Sequence, residues 1–164
     1  MEPDEGNQVS VRLASLRDAQ RIAALCEQLG YPAFQEKVQR RLRRIDQDED
    51  NAAYVAELSS GHVVGWVHVH RRRLIQTDAE VGGLVVDEDR RHGGIGRLLM
   101  QQAEQWAREK VCWAVHVRSN VVRKDAHAFY ETIGYRRIKT QFTFRKALHP
   151  HRNKDIPCNP EPAL

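Results

Sequence analysis

Apolar and polar positions alternate over Val9–Leu13, which predicts a strand. Ile22, Leu25, Cys26 and Leu29 then fall on one helical face; Asp18 can cap this helix and Gly30 ends it. Pro32 breaks the chain before a second helix, with Phe34, Val38, Leu42 and Ile45 in register. The acidic residues 46–50 read as a loop. Strands over 53–58 and 63–70 follow, joined by Ser59, Ser60, Gly61 and His62, a tight hairpin signal. The basic residues 71–73 lead through a turn to a third strand over 80–86. Ile95, Leu98, Leu99, Ala103 and Trp106 define a helix that ends near Lys110. A strand over 113–117 follows, then a helix with Ala126, Phe129, Tyr130 and Ile133 together, stopped at Gly134. Ile138, Thr140, Phe142 and Phe144 share one side of a last strand. The predicted order is β-α-α-β-β-β-α-β-α-β, a mixed α/β domain over residues 9–148 with its antiparallel strands first. Residues 1–8 form a tail, and residues 149–164, rich in Pro, Asn, His and Lys, form an extension.

Composition narrows the classes. A chain of 164 residues fits one domain with a real core. No apolar run approaches the length of a membrane span. The start, Met1, Glu2, Pro3, Asp4 and Glu5, lacks the basic and apolar regions of a signal peptide. Cys26, Cys112 and Cys158 are widely spaced, form no metal pattern and suit buried thiols in a reducing compartment. Cytoplasm is the expected location. The net charge of +4 is modest. Basic residues 40–44 and 71–73 carry no interleaved aromatics, so they read as a solvated helix face and a solvated hairpin, not a nucleic-acid surface. No membrane partner is expected either.

The most informative stretch is Arg91, His92, Gly93, Gly94, Ile95, Gly96 and Arg97, between a strand and a helix. A strand, a glycine-rich turn and a helix start present backbone N–H groups at the positive end of a helix dipole, which suits phosphate. A dinucleotide-binding reading fails, because position 99 is Leu and the turn follows the third strand of a meander. A P-loop reading fails for want of a Gly-Lys-Ser/Thr closure.

Arg91-x-x-Gly94-x-Gly96, after Val85, Val86 and Asp87, resembles the acetyl-CoA-binding motif of the Gcn5-related N-acetyltransferase (GNAT) family. Ala126, His127, Ala128, Phe129, Tyr130, Ile133, Gly134 and Tyr135 resemble that family's last helix and following strand. The resemblance spans roughly residues 9–147 and is strongest to small free-standing bacterial members, including the aminoglycoside-type enzymes. It implies a mostly antiparallel sheet splayed between the strands at 80–86 and 113–117, with the thioester of acetyl-CoA entering the gap. The N–H groups of residues 91–97 would hold the pyrophosphate, and Leu84, Val85 and Val86 would pair with the pantetheine arm. A backbone N–H near Val85 would polarise the thioester carbonyl. Gly82 and Gly83 suit a bulge or close approach.

The same resemblance places Glu80 as general base, eleven positions before Arg91, and Tyr130 as the acid that protonates the leaving thiolate. Many relatives carry an asparagine seven residues before that tyrosine. Here the position is Arg123, so either Asn120 reaches the arm or Arg123 contacts phosphate. His68 and His70 share a strand face without a cysteine or carboxylate spaced to complete a zinc site, so no metal is expected. His116 could line the pocket or relay a proton. Tyr31, Phe34 and the acidic residues 46–50 lie where acceptors bind in the family. Acidic groups would suit a polycationic aminoglycoside, and residues 71–73 a phosphorylated or carboxylated acceptor. The expectation is direct acetyl transfer to a primary amine of a small molecule, with a homodimer as one possible assembly. Its rivals are a silent acyl-CoA-binding domain, against which Glu80 and Tyr130 argue, and an enzyme acting on protein N-termini or lysines.

Overall fold

The computed structural model describes residues 8–73, 76–146 and 148. The predicted extension over 149–164, with Cys158, and all of the tail except Gln8 lie outside the described residues. The elements are β1 (Val9–Leu13), α1 (Ala19–Glu27), α2 (Gln35–Asp46), β2 (Asn51–Leu58), β3 (Val63–Arg73), β4 (Thr77–Val86), α3 (Ile95–Glu109), β5 (Val115–Val117) and α4 (Lys124–Thr132). They build a five-stranded sheet in the order β1-β2-β3-β4-β5. The first four strands are antiparallel neighbours, and β5 lies parallel to β4.

Helices cover both faces. Val67, Val69, Ala79 and Val81 meet Leu99, Met100, Ala103 and Trp106 of α3 on one face. Val55, Val63 and Val85 meet Ile22, Leu25, Val38 and Leu42 of α1 and α2 on the other. Each such Leu, Val or Met contributes about 1.5–3 kcal/mol of apolar burial, which is why the central strands read as nearly continuous apolar runs. No described helix is long and apolar enough to cross a membrane.

Several expectations are corrected. Asp18 does not cap α1 with its side chain; its carboxylate accepts from the Ser15 backbone N–H and from both terminal nitrogens of Arg12. Burial alone would raise this carboxyl, but Arg12 and Ser15 overcome that and hold it below the usual range. Phe34 precedes α2 and is 76% exposed, so it leaves the apolar face of that helix to Val38 and Leu42. Residues 71–73 are not a solvated turn. They extend β3, with Arg71 and Arg73 paired to Asp50 and Arg72 to Glu80, so cations occupy strand positions by finding carboxylates beside them. Likewise Asp46 closes α2 instead of opening a loop.

The predicted last strand does not form. Residues 138–144 belong to no strand; Phe142 and Phe144 are 85% and 92% exposed. Alternation states which side chains share a face, but a strand also needs an edge to bond to. The strand expected over 113–117 begins only at Val115, leaving Trp113 exposed.

Candidate active site

The glycine-rich turn is set by its backbone. His92 has φ 66° and Gly94 φ 81°, both left-handed, and Gly94 opens α3 with no side-chain cap. The Leu98 N–H reaches the Gly94 carbonyl, so the N–H groups of Ile95, Gly96 and Arg97 precede the helical ladder and remain available. The three glycines differ in what they permit. A Cβ at Gly94 would meet nothing, so its need is the positive φ. A Cβ at Gly96 would come 3.1 Å from the Phe129 ring, so α4 packs against the turn through the missing side chain. Gly93 has ordinary room and faces solvent. The Arg91 Nε–H donates to the Val86 carbonyl at 3.3 Å, folding that side chain toward the strand end.

Asp87 anchors the turn from below. Its buried carboxylate accepts from Arg21 and from Gln28 Nε2 at 3.2 Å, while Gln28 Oε1 accepts from the Glu88 N–H. Arg21 also donates to the Val63 carbonyl, so α1, β3 and the approach to the turn form one unit. Burial works against the charged form here, and Gln28, the Asp89 N–H and Arg21 outweigh it and hold the carboxyl low.

The sheet forks where expected. Pairing of β4 with β5 ends at Val81 opposite Val117, leaving the β4 edge over residues 82–86 without a strand on that side. At the fork a bulge interrupts the β3–β4 register between His68 and Val69. A Cβ at Gly82 would stand 2.7 Å from His68 Nδ1, and one at Gly83 would stand 2.7 Å from the Trp66 ring. Both glycines are therefore close-approach positions.

On the α1/α2 side of the fork lies a polar cluster. Glu80 is buried and pairs across the register with His70 on β3 and His116 on β5. Arg72 reaches Glu80 Oε2 at 3.0 Å; Arg118 reaches Oε1 at 3.0 Å and Oε2 at 3.1 Å. The His116 ring contacts Asp78 at 2.9 Å. The His68 ring stacks on His70 with centroids 5.4 Å apart. Arg41 can only donate, so His68 Nδ1, 3.3 Å away, accepts, and His68 Nε2–H donates to Asn51 Oδ1 at 2.9 Å. The His70 Nδ1 atom is buried without a partner among the described residues. No group of three or more His, Cys, Asp or Glu gathers as a metal site among them.

Burial, with Arg41 and His70 adding repulsion, pushes the His68 imidazole down to about 4. An unfolded imidazole titrates near 6.5. Between those values the unfolded chain binds more protons, so stability falls as pH drops. The expected loss from this group is about 2 kcal/mol between pH 7 and 5. Urea unfolding at pH 7 and pH 5 should show it, and His68→Gln should reduce the difference by that amount. An unchanged pH difference would remove His68 as its source.

Beyond the open edge stands α4. Tyr130 is half-buried between Phe129 and Tyr135, with ring centroids 5.3 and 6.0 Å away. Burial pushes its hydroxyl upward, partly countered by Arg123, so it is protonated at neutral pH. Arg123 lies over the Tyr31 ring at 5.7 Å and donates to the Leu29 carbonyl at 3.4 Å. Asn120 is exposed and folded into the turn before α4, its Oδ1 accepting from the Val122 N–H. The acid candidate, Arg123 and Tyr31 thus adjoin one another, while Phe34 and Asn120 face solvent.

Residues 16–135 match the profile of the acetyltransferase (GNAT) family. The chain belongs to the GNAT family. It is 32% identical over 149 residues to the aminoalkylphosphonate N-acetyltransferase of Salmonella typhimurium, covering 84% of this chain and 90% of that protein. It is 28% identical over 109 residues to an aminoglycoside N(6')-acetyltransferase of Stenotrophomonas maltophilia, covering 63% of this chain and 71% of that protein. Its fold matches the crystal structure of an aminoglycoside 6'-N-acetyltransferase from Acinetobacter baumannii with TM-score 0.75 and 18% identity. That match covers 87% of this chain and all of the other.

This GNAT chain is therefore an N-acetyltransferase with acetyl-CoA as donor. The turn fits that donor: uncapped N–H groups, a left-handed glycine and solvent-facing Gly93 leave room for phosphate oxygens. The motif residues were readable from the sequence, and residues 71–73 as suited to an anionic acceptor; the link of Arg72 to Glu80, and Arg118, Arg41 and Asp87 as parts of the site, were not. Alternating polar positions 68, 70 and 72, facing 78 and 80 across a hairpin, were the signal for Arg72. Nothing local marks Arg118, whose partner lies 38 residues away, or the pairing of Asp87 with Arg21, 66 residues away.

Proposed function

We propose that this GNAT enzyme acetylates the primary amine of a small molecule that also carries a negative group, phosphonate or carboxylate. The observation that carries this reading is the pair of guanidinium groups, Arg72 and Arg118, flanking Glu80 beside the fork. Guanidinium groups suit tetrahedral and planar oxyanions through forked hydrogen bonds. Arg72 and Arg118 each bind Glu80 with only part of their five N–H donors, so both keep donors for an acceptor's oxyanion. The relative that acts on aminoalkylphosphonates supports the same choice.

In the mechanism, N–H groups of residues 91–97 would hold the donor's pyrophosphate, and the edge of Leu84, Val85 and Val86 would align its arm. Acetyl-CoA supplies an activated acyl group on a thioester. A backbone N–H near Val85 would polarise the acyl carbonyl. Glu80 accepts the amine proton, Arg72 and Arg118 orient its carboxylate, and Tyr130 donates the proton to the departing sulfur. Arg123 steadies the entrance beside Tyr31 and stands ready to meet a phosphate.

Thiol release with an aminoalkylphosphonate, an amino acid, a polyamine and an aminoglycoside tests the acceptor class. The anionic amines should give the highest kcat/KM. Arg118→Gln should raise KM for them at least tenfold while leaving KM for acetyl-CoA unchanged. Faster turnover of the polyamine or aminoglycoside would overturn the reading.

A further inference from the structure

The proposed reaction leaves one proton without a path. A lysine-like amine, with a pKa of about 10.4, arrives as an ammonium. As the N–C bond forms and the C–S bond breaks, that nitrogen gives up two protons. The departing sulfur takes one through Tyr130, and the other has to leave the site. Glu80 is poorly placed to hand it to water. Its side chain is 10% exposed, and both oxygens already accept from Arg72 or Arg118.

Beside it stands a pair that the mechanism does not yet use. His116 on β5 is the register partner of Glu80 on β4, and neighbouring strands lie about 4.8 Å apart. His116 Nε2 lies 2.9 Å from Asp78 Oδ2. A carboxylate only accepts, so Nε2 carries the hydrogen and Nδ1 keeps its lone pair for an incoming proton. The other oxygen of Asp78, Oδ1, is buried and has no partner among the described residues, so this carboxylate serves the imidazole. The His116 side chain is 31% exposed against 10% for Glu80, which gives the proton a direction.

We propose that His116, oriented by Asp78, takes from Glu80 the proton that Glu80 has received from the acceptor, and passes it to water. The inference rests on Glu80 being the base. The proton moves from the Glu80 carboxyl to His116 Nδ1, directly or through one water, and the carboxylate is restored. Asp78 stays ionised and stabilises the imidazolium until Nδ1 releases its proton to solvent. Imidazole suits the task because its charge changes between about pH 5 and 8. The groups facing the ring are Asp78 and Glu80 from β4, Arg118 after β5, and Arg72 and His70 from β3. Both arginines are drawn onto Glu80, which leaves Asp78 as the charge in contact with the ring.

The pH dependence of kcat, with saturating donor and the best of the four acceptors above, tests the relay. The wild-type rate should fall on the acidic side through one inflection between about pH 5 and 8, because protonated His116 can no longer accept. Asp78→Asn keeps an oxygen for the Nε2–H but loses the charge, so the inflection should move about one unit to lower pH. His116→Gln should lower kcat about tenfold at pH 7 and remove the inflection. His116→Ala should regain rate with added imidazole, which a packing role would not allow. A melting temperature that rises with acetyl-CoA shows that each variant is folded. An unmoved inflection in Asp78→Asn, a His116→Gln kcat within twofold of wild type, or an alanine variant indifferent to imidazole would overturn the relay and leave Glu80 as base. A Glu80→Gln enzyme with full kcat would overturn the relay and the base together.

Discussion

Glu80→Gln is expected to lower kcat by about a hundredfold to ten-thousandfold, the usual yield of a positioned general base, with KM for acetyl-CoA unchanged. Glutamine keeps the volume and one carbonyl oxygen but cannot take a proton from the attacking amine. The substitution also removes the charge that Arg72 and Arg118 share, at a position only 8% exposed. Some stability is therefore lost, and the comparison belongs at a temperature where both proteins are folded. Steady-state kinetics with saturating donor separates the effects. A kcat within threefold of the wild type would take Glu80 out of the chemistry and leave it as the anchor of two arginines.

The second large effect is on the turn, through a residue with no place in the motif. Asp87→Ala leaves Arg21 and Gln28 without their shared acceptor in a half-buried setting. Breaking one side of such a pair typically costs about 3 kcal/mol or more, which in a chain of this size lowers the melting temperature by roughly 6–12 °C. Because the same carboxylate ties α1 to the approach of the turn proposed to hold the donor's pyrophosphate, KM for acetyl-CoA should rise together with the thermal loss. Differential scanning calorimetry and donor titration read the two. Destabilisation with unchanged donor KM would mean that the turn keeps its shape without α1.

The contrast between motif and support explains what was legible in the sequence. Amphipathic α3, predicted to run from Ile95 to near Lys110, forms over Ile95–Glu109, because one apolar face and a glycine start specify a helix locally. The fork was implied by family resemblance, and the pairing of β4 with β5 stops at Val81 accordingly. The clamp on Glu80 was invisible. Arg118 reaches it only because β5 lies parallel to β4 with His116 opposite Glu80, and sequence spacing does not encode that register. Charged residues 71–73 hid a strand for a related reason, since Arg71 and Arg73 find Asp50 ahead of β2 and Arg72 finds Glu80 on β4. Residues 138–144 show the reverse error. Their local pattern is correct for a strand, yet none of the other described residues offers them a bonded edge.

The approach of Gly96 to Phe129 has one more consequence. The helix that presents Tyr130 rests on the same turn proposed to receive the donor's phosphates, so in that reading grip and proton delivery are one mechanical part. Any side chain at position 96 would push them apart together. A mutation there should register twice, as a looser hold on the donor and as a tyrosine aimed off its target.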